Sequence, residues 1–102
     1  MKVKQFYNKN QFIIEGLEGV TFQSYNSEIA NIDKKGNLIL GVDWDYSNTT
    51  LKHLYLFLND YFYNLNYNTK ELLRDLTKKS NKRKYIQKLI DNKKIEYNEN
   101  MR

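Results

Sequence analysis

GVDWDYSNTTLKH, residues 41–53, decides how the chain folds, because the hydrophobic period changes across it. Upstream, short β-favouring runs alternate with turn signals. "QFIIE" (11–15) and "VTFQS" (20–24) flank "GLEG", whose Gly16 and Gly19 suit a tight hairpin. "YNSEIANID" carries Ile29 and Ile32, and "DKKGN" is a turn in which Gly36 and Asn37 tolerate left-handed geometry. "NLILGV" then sets Leu38, Leu40 and Val42 on one side of a strand and Ile39 on the other. Residues 1–45 are expected to form an antiparallel meander of three to four strands.

Downstream the period becomes helical. Leu51, Leu54, Tyr55, Leu58, Tyr61, Phe62 and Leu65 recur on one face over roughly four turns, which predicts a long helix over 50–66. An asparagine-rich break follows. Asn68 with Glu71 three residues later resembles a capping box and opens a short helix to residue 78, with Leu72, Leu73 and Leu76 as its stripe. Ser80 is the expected cap of a third helix, which buries Tyr85, Ile86, Leu89 and Ile90. Residues 69–93 are thus a helical pair and 94–102 a tail, with a short extended piece at Ile95–Tyr97. The expected fold class is α+β: one domain, a small antiparallel sheet packed by one long helix, then two short basic helices.

The opening stretch reads as the joint between these halves. Asp45, Ser47 and Thr49 are residue types that accept hydrogen bonds from the unpaired N–H groups of a helix's first turn. Trp44 can lock strand against helix by burying a large ring, and His53 falls in the first turns. A catalytic or metal-binding use competes with this. Asp43 and Asp45 alternate, so on a strand they would face one way and could share a cation, with His53 as a third ligand or base. Hard cations recruit more oxygen ligands than this, and no second acidic cluster is present. Ser47 has no glycine elbow. With no cysteine and one histidine in 102 residues, the expectation is binding without catalysis, metal or cofactor.

Charge is distributed unevenly. Residues 1–69 hold six Lys/Arg against seven Asp/Glu, a net of −1, whereas residues 70–94 hold ten against three, a net of +7. Lys78, Lys79, Lys82, Arg83, Lys84 and Lys88 crowd the expected break between the two short helices, with Tyr85 beside them. Solvated faces of two amphipathic helices explain such a run without any partner. If the segment binds, its partner is acidic: nucleic acid, with Tyr85 stacking on an unpaired base, or an acidic patch on a protein. No apolar run can cross a bilayer, and the polar start "MKVKQFYNKN" lacks a signal-peptide core, so a cytoplasmic protein with no membrane partner is expected.

Two blocks resemble a known family. "QSYNSEIANID" and "WDYSNTTLKHLYLFL" are similar to small proteins of phages and mobile elements of low-GC Gram-positive bacteria, at Gln23, Ser24, Tyr25, Ser27, Trp44, Asp45, Tyr46, Ser47, Thr49, Thr50, Lys52, His53, Phe57 and Leu58. The resemblance spans roughly residues 20–60. It departs at Leu51, where the pattern has a small polar residue, and excludes the basic segment. It implies an accessory protein of a mobile element in a bacterial host, of the kind that includes anti-CRISPR inhibitors of type II RNA-guided nucleases. It supplies no catalytic residue. A small basic regulator that binds DNA or RNA is the alternative function.

Overall fold

The computed structural model describes residues 2–102. Its sheet has six strands in sequence order: β1 (Lys2–Phe6), β2 (Asn8–Gly16), β3 (Gly19–Ser24), β4 (Ser27–Ile32), β5 (Leu38–Gly41) and β6 (Glu96–Asn98). The first five form an antiparallel meander, and β6 returns parallel to β5. The helices are α1 (Asn48–Asp60), α2 (Tyr67–Leu73) and α3 (Lys82–Asp91), with 3₁₀ turns at Phe62–Asn64 and Leu76–Lys78. Among the described residues no helix is long and apolar enough to cross a membrane.

The expected α+β class holds, but three details differ: the number of strands, the wholly antiparallel sheet, which β6 makes mixed, and the length of the long helix. The sheet is larger than three to four strands because both ends of the chain join it. β1 carries Lys2 and Lys4 and buries only Phe6, so it has an edge strand's composition and little hydrophobic signal. β6 is three exposed residues held by pairing with β5, although Ile95 just before it is buried. The long helix also ends early. At Tyr61 the backbone leaves helical geometry and tightens into the 3₁₀ turn, so Tyr61, Phe62 and Leu65 still reach the core without six more residues of α-helix.

Register sets which side chains meet. Ile13, Phe22, Ala30 and Leu40 form one cross-strand row, Val20, Ile32 and Leu38 another, and all are buried. Phe57 of α1 stacks on Phe22, ring centroids 5.8 Å apart, and Leu51, Leu54 and Leu58 share the same core. The other face, carrying Val3, Ile14, Thr21, Asn31 and Ile39, is half-buried to exposed. In β4, Glu28 pairs with Gln23 and Ala30 with Phe22, which leaves Ile29 as an extra residue. That bulge turns Ser27 from the outer face to the helix-covered face, directly opposite Ser24.

The β4–β5 turn is fixed from two sides. Asp33 Oδ1 accepts from the backbone N–H groups of Lys35 and Asn37, both at 2.9 Å. Gly36 adopts φ +82°, and a Cβ there would lie 2.5 Å from the Asn66 nitrogen, whose N–H donates to the Gly36 carbonyl. Gly36→Ala should therefore cost about 2 kcal/mol or more in urea unfolding, combining left-handed strain with a backbone clash. Burial pushes the Asp33 carboxyl up, but its three donors outweigh this and hold it below its ordinary 3.8. A depressed folded value stabilises above pH 3.8, and that contribution fades as pH falls through the depressed value. Asp33→Asn is expected to cost about 1 kcal/mol at neutral pH, with the deficit shrinking in acid. Parallel acid-unfolding curves for the two proteins would contradict this origin.

Candidate functional site

β5 stops at Gly41, so Asp43 and Asp45 sit in a turn rather than on a strand. The reason is steric. A Cβ at Gly41 would meet the Glu28 carbonyl at 2.6 Å and the Met101 carbonyl at 2.5 Å, so β4 and the C-terminal tail pinch the backbone there. The next N–H, of Val42, donates to that Met101 oxygen at 3.1 Å. Two further turn bonds, Trp44 N–H to Gly41 and Tyr46 N–H to Asp43, curl the chain into α1. Trp44 is 3% exposed and belongs to the core.

The motif's polar residues go to different partners. Ser47 is the N-cap of α1, its Oγ accepting from the Thr50 N–H at 3.1 Å. Asp45 makes no cap bond. Its Oδ2 accepts from both Nε and Nη2 of Arg83 on α3, at 2.9 and 2.7 Å. Thr49 is exposed in the first turn and supplies its carbonyl to His53, whose Nδ1 lies 2.8 Å from it. A carbonyl can only accept, so Nδ1 carries the proton and the ring is tied to its own helix. Asp43 accepts from Ser27 Oγ at 3.1 Å. The two aspartates and the imidazole thus have three separate partners. Among the described residues no group of three or more His, Cys, Asp or Glu is placed to hold a metal ion.

The caps of the basic pair differ from expectation by one or two residues. Asn66, not Asn68, caps α2 by accepting from Thr69 N–H, and Glu71 pairs with Arg74 at 2.6 Å instead of closing a box. Asn81, not Ser80, caps α3 by accepting from Lys84 N–H. Asparagine and serine cap about equally well, so sequence alone does not choose between neighbours.

The structure divides the cationic cluster by location, since Lys79, Lys84 and Lys88 share one depression and the other three do not. Arg83 is committed to Asp45, Lys78 lies 3.8 Å from Asp75, and Lys82 lies over the Tyr55 ring at 5.8 Å. Lys79, Lys84 and Lys88 line one surface depression of about 230 Å³ with Ser80, Asn81 and Tyr85, and no carboxylate is in its wall. Lys84 and Lys88 are one turn apart on α3 and form no ion pair among the described residues. Lys79 covers the Tyr85 ring at 4.6 Å, and the Tyr85 hydroxyl donates to the Leu72 carbonyl. Tyr85 is thereby half-buried and in use, which leaves its ring poorly placed to stack on a base. Eight residues separate α2 from α3, too many for the short turn of a helix-turn-helix.

A second surface was not singled out as a site in the sequence. Ser24, Tyr25 and Ser27 from the β3–β4 hairpin meet Asp43, Tyr46 and the start of α1 around a cavity of about 560 Å³. The signal was present, since these residues come from both blocks of the family resemblance. Nothing in the linear spacing says that 24–27 and 43–50 touch, because their contact depends on the β4 bulge.

The chain is an α+β protein in which one turn borders both a polar cavity and a lysine-lined helix. A family model matches residues 1–88, and the chain belongs to that family, DUF8033, a family of unknown function. No curated protein and no solved structure matches it.

Different partners imply different costs for the residues of the joint. Trp44→Ala should lose about 3–5 kcal/mol as a core truncation, and Ser47→Ala about 1 kcal/mol as a lost cap. Asp45→Asn should lose at most about 1 kcal/mol, because its ion pair is partly solvated. Urea unfolding of the three variants tests the order, and an Asp45 variant as damaging as the Trp44 variant would refute it.

Proposed function

We propose that this chain is a non-catalytic binding protein that engages an acidic partner through Lys79, Lys84 and Lys88. The observation that carries this is their shared depression, with no carboxylate in its wall. Three neighbouring cations of the same segment are instead paired with carboxylates: Arg83 with Asp45, Arg74 with Glu71 and Lys78 with Asp75. Concentrated unpaired charge accelerates encounter with an oppositely charged surface and fixes its register.

The resemblance to mobile-element proteins supports one target first: a type II RNA-guided nuclease, which the chain would inhibit from the cytoplasm of a bacterial host. A cationic face does not imitate DNA, and the channel that holds the guide–target heteroduplex is itself positive. Inhibition therefore acts on cleavage, by holding a nuclease domain away from its cutting position or by contacting the guide complex. Effector mixed with this protein should keep binding its target duplex while losing cutting, more so at low salt than at high. Simple competition with the duplex for the PAM-reading site would overturn this mechanism.

The alternative, a regulator that binds DNA or RNA, is favoured by the one-turn spacing of two unpaired lysines on an exposed helix. A gel shift against arbitrary duplex and single strands distinguishes the two. Micromolar binding with a steep salt slope supports the regulator, and no shift supports a protein target. In either case Lys84→Glu with Lys88→Glu should weaken binding at least about tenfold and flatten its salt dependence, leaving thermal stability nearly unchanged. Full binding by the double variant would remove the depression from the function.

A further inference from the structure

The cavity between the β3–β4 hairpin and the start of α1 has no part in the function proposed above. We infer that it is a binding site for a small neutral ligand bearing adjacent hydroxyl groups, such as a sugar ring. Its volume of about 560 Å³ lies within the range of small-molecule sites. Its wall sets hydroxyls, the amide of Asn26 and one carboxylate into largely apolar surface that includes Ile29, with no lysine, arginine or histidine.

Ser24 gives the most direct indication. It is 4% exposed, lines the cavity, and its hydroxyl has no hydrogen-bond partner among the described residues. The hydroxyl is not sealed from solvent, so it faces the cavity and is available to whatever enters it. Directly opposite Ser24 on β2, Gln11 is buried with its Oε1 unpartnered, behind the cavity wall rather than in it. Across the cavity, Asp43 accepts one bond from Ser27 and retains acceptor capacity at its other oxygen. Adjacent hydroxyls on a ligand could donate there and accept at the serines.

Charge selects the class of ligand. The positive end of α1 borders the cavity through Ser47, Thr49 and Thr50, which disfavours a bound ammonium or guanidinium. Asp43 disfavours a phosphate or carboxylate. A neutral molecule able both to donate and to accept meets neither objection.

Two tyrosines provide the apolar contact that a sugar's C–H face requires. Tyr46 is 79% exposed and Tyr25 60%, and both line the cavity. Tyr25 stands at φ +54° in a two-residue hairpin turn, a conformation normally given to glycine. The turn thus accepts strain in a position where glycine would relieve it, and it presents an aromatic ring there.

Amide NMR spectra titrated with ribose, glucose and maltose, and separately with arginine amide and inorganic phosphate, provide the test. At least one sugar should shift resonances clustered at residues 24–27 and 43–50, saturating at millimolar concentration, while arginine amide and phosphate leave that cluster alone. Ser24→Ala should weaken the sugar's binding at least about fivefold without lowering the melting temperature, because the lost hydroxyl has no partner in the folded chain. Tyr46→Ala should weaken binding similarly with the fold intact. No clustered shift with any of the three sugars, or a stronger response to arginine amide or phosphate, would overturn the inference. A Ser24→Ala protein that melts markedly lower would assign the hydroxyl a structural role and overturn it as well. Failure here leaves the lysine depression untouched, since none of its residues lines this cavity.

Discussion

The close approach of three backbone segments at Gly41 is the constraint on which the arrangement rests. The carbonyls of Glu28 and Met101 occupy the space where any side chain would begin. Such an approach admits only glycine at the last residue of β5, with β4 on one side and the tail on the other. Around that contact lie the parallel pairing of β6, the donation of Val42 to Met101, and the curl that brings Ser47 to the cap of α1. Apolar burial completes the joint through Trp44 and the stack of Phe57 on Phe22. Hydrophobic packing supplies most of the stability, but it is the turn that makes it unique to this register.

The same turn sends two aspartates in different directions, which a reading based on strand alternation missed. On a strand Asp43 and Asp45 would have faced one way. In the turn, Asp43 faces Ser27 and the polar cavity, while Asp45 faces Arg83. One loop therefore borders a surface of hydroxyls and, through an ion pair, the helix carrying the unpaired lysines. Net charge hid this division. Of the cations in residues 70–94, Arg74, Lys78 and Arg83 are paired with carboxylates, Lys70 and Lys82 lie over aromatic rings, and Lys79, Lys84 and Lys88 share one depression.

Legibility in the sequence tracked how local the governing interaction is. β2 to β5 and the start of α1 were readable because their hydrophobic period and their turn residues are contiguous. β1 was not, since its lysines hide an edge strand, and the turn after it uses Tyr7 at φ +63° where a glycine or asparagine would have announced itself. β6 depends on a partner more than fifty residues away. The end of α1 was misplaced because a 3₁₀ turn keeps Tyr61, Phe62 and Leu65 on the core side, so periodicity continues after the helix has stopped. Ser24 and Ser27 give no sign in the sequence of sharing a cavity, since a one-residue bulge decides which face Ser27 takes.

How strongly the two surfaces can influence each other is bounded by what joins them. The direct link is Asp45 with Arg83, a pair in which both side chains retain solvent contact. Such pairs are worth at most about 1 kcal/mol, so a ligand in the cavity that broke the pair outright could change affinity at the lysines by no more than about fivefold. A larger effect requires moving α1 itself, which is held by Trp44, Leu54 and Phe57 in a close-packed core that yields only by discrete repacking. The cavity and the lysine depression are therefore better described as two nearly independent surfaces on one rigid joint than as a switch.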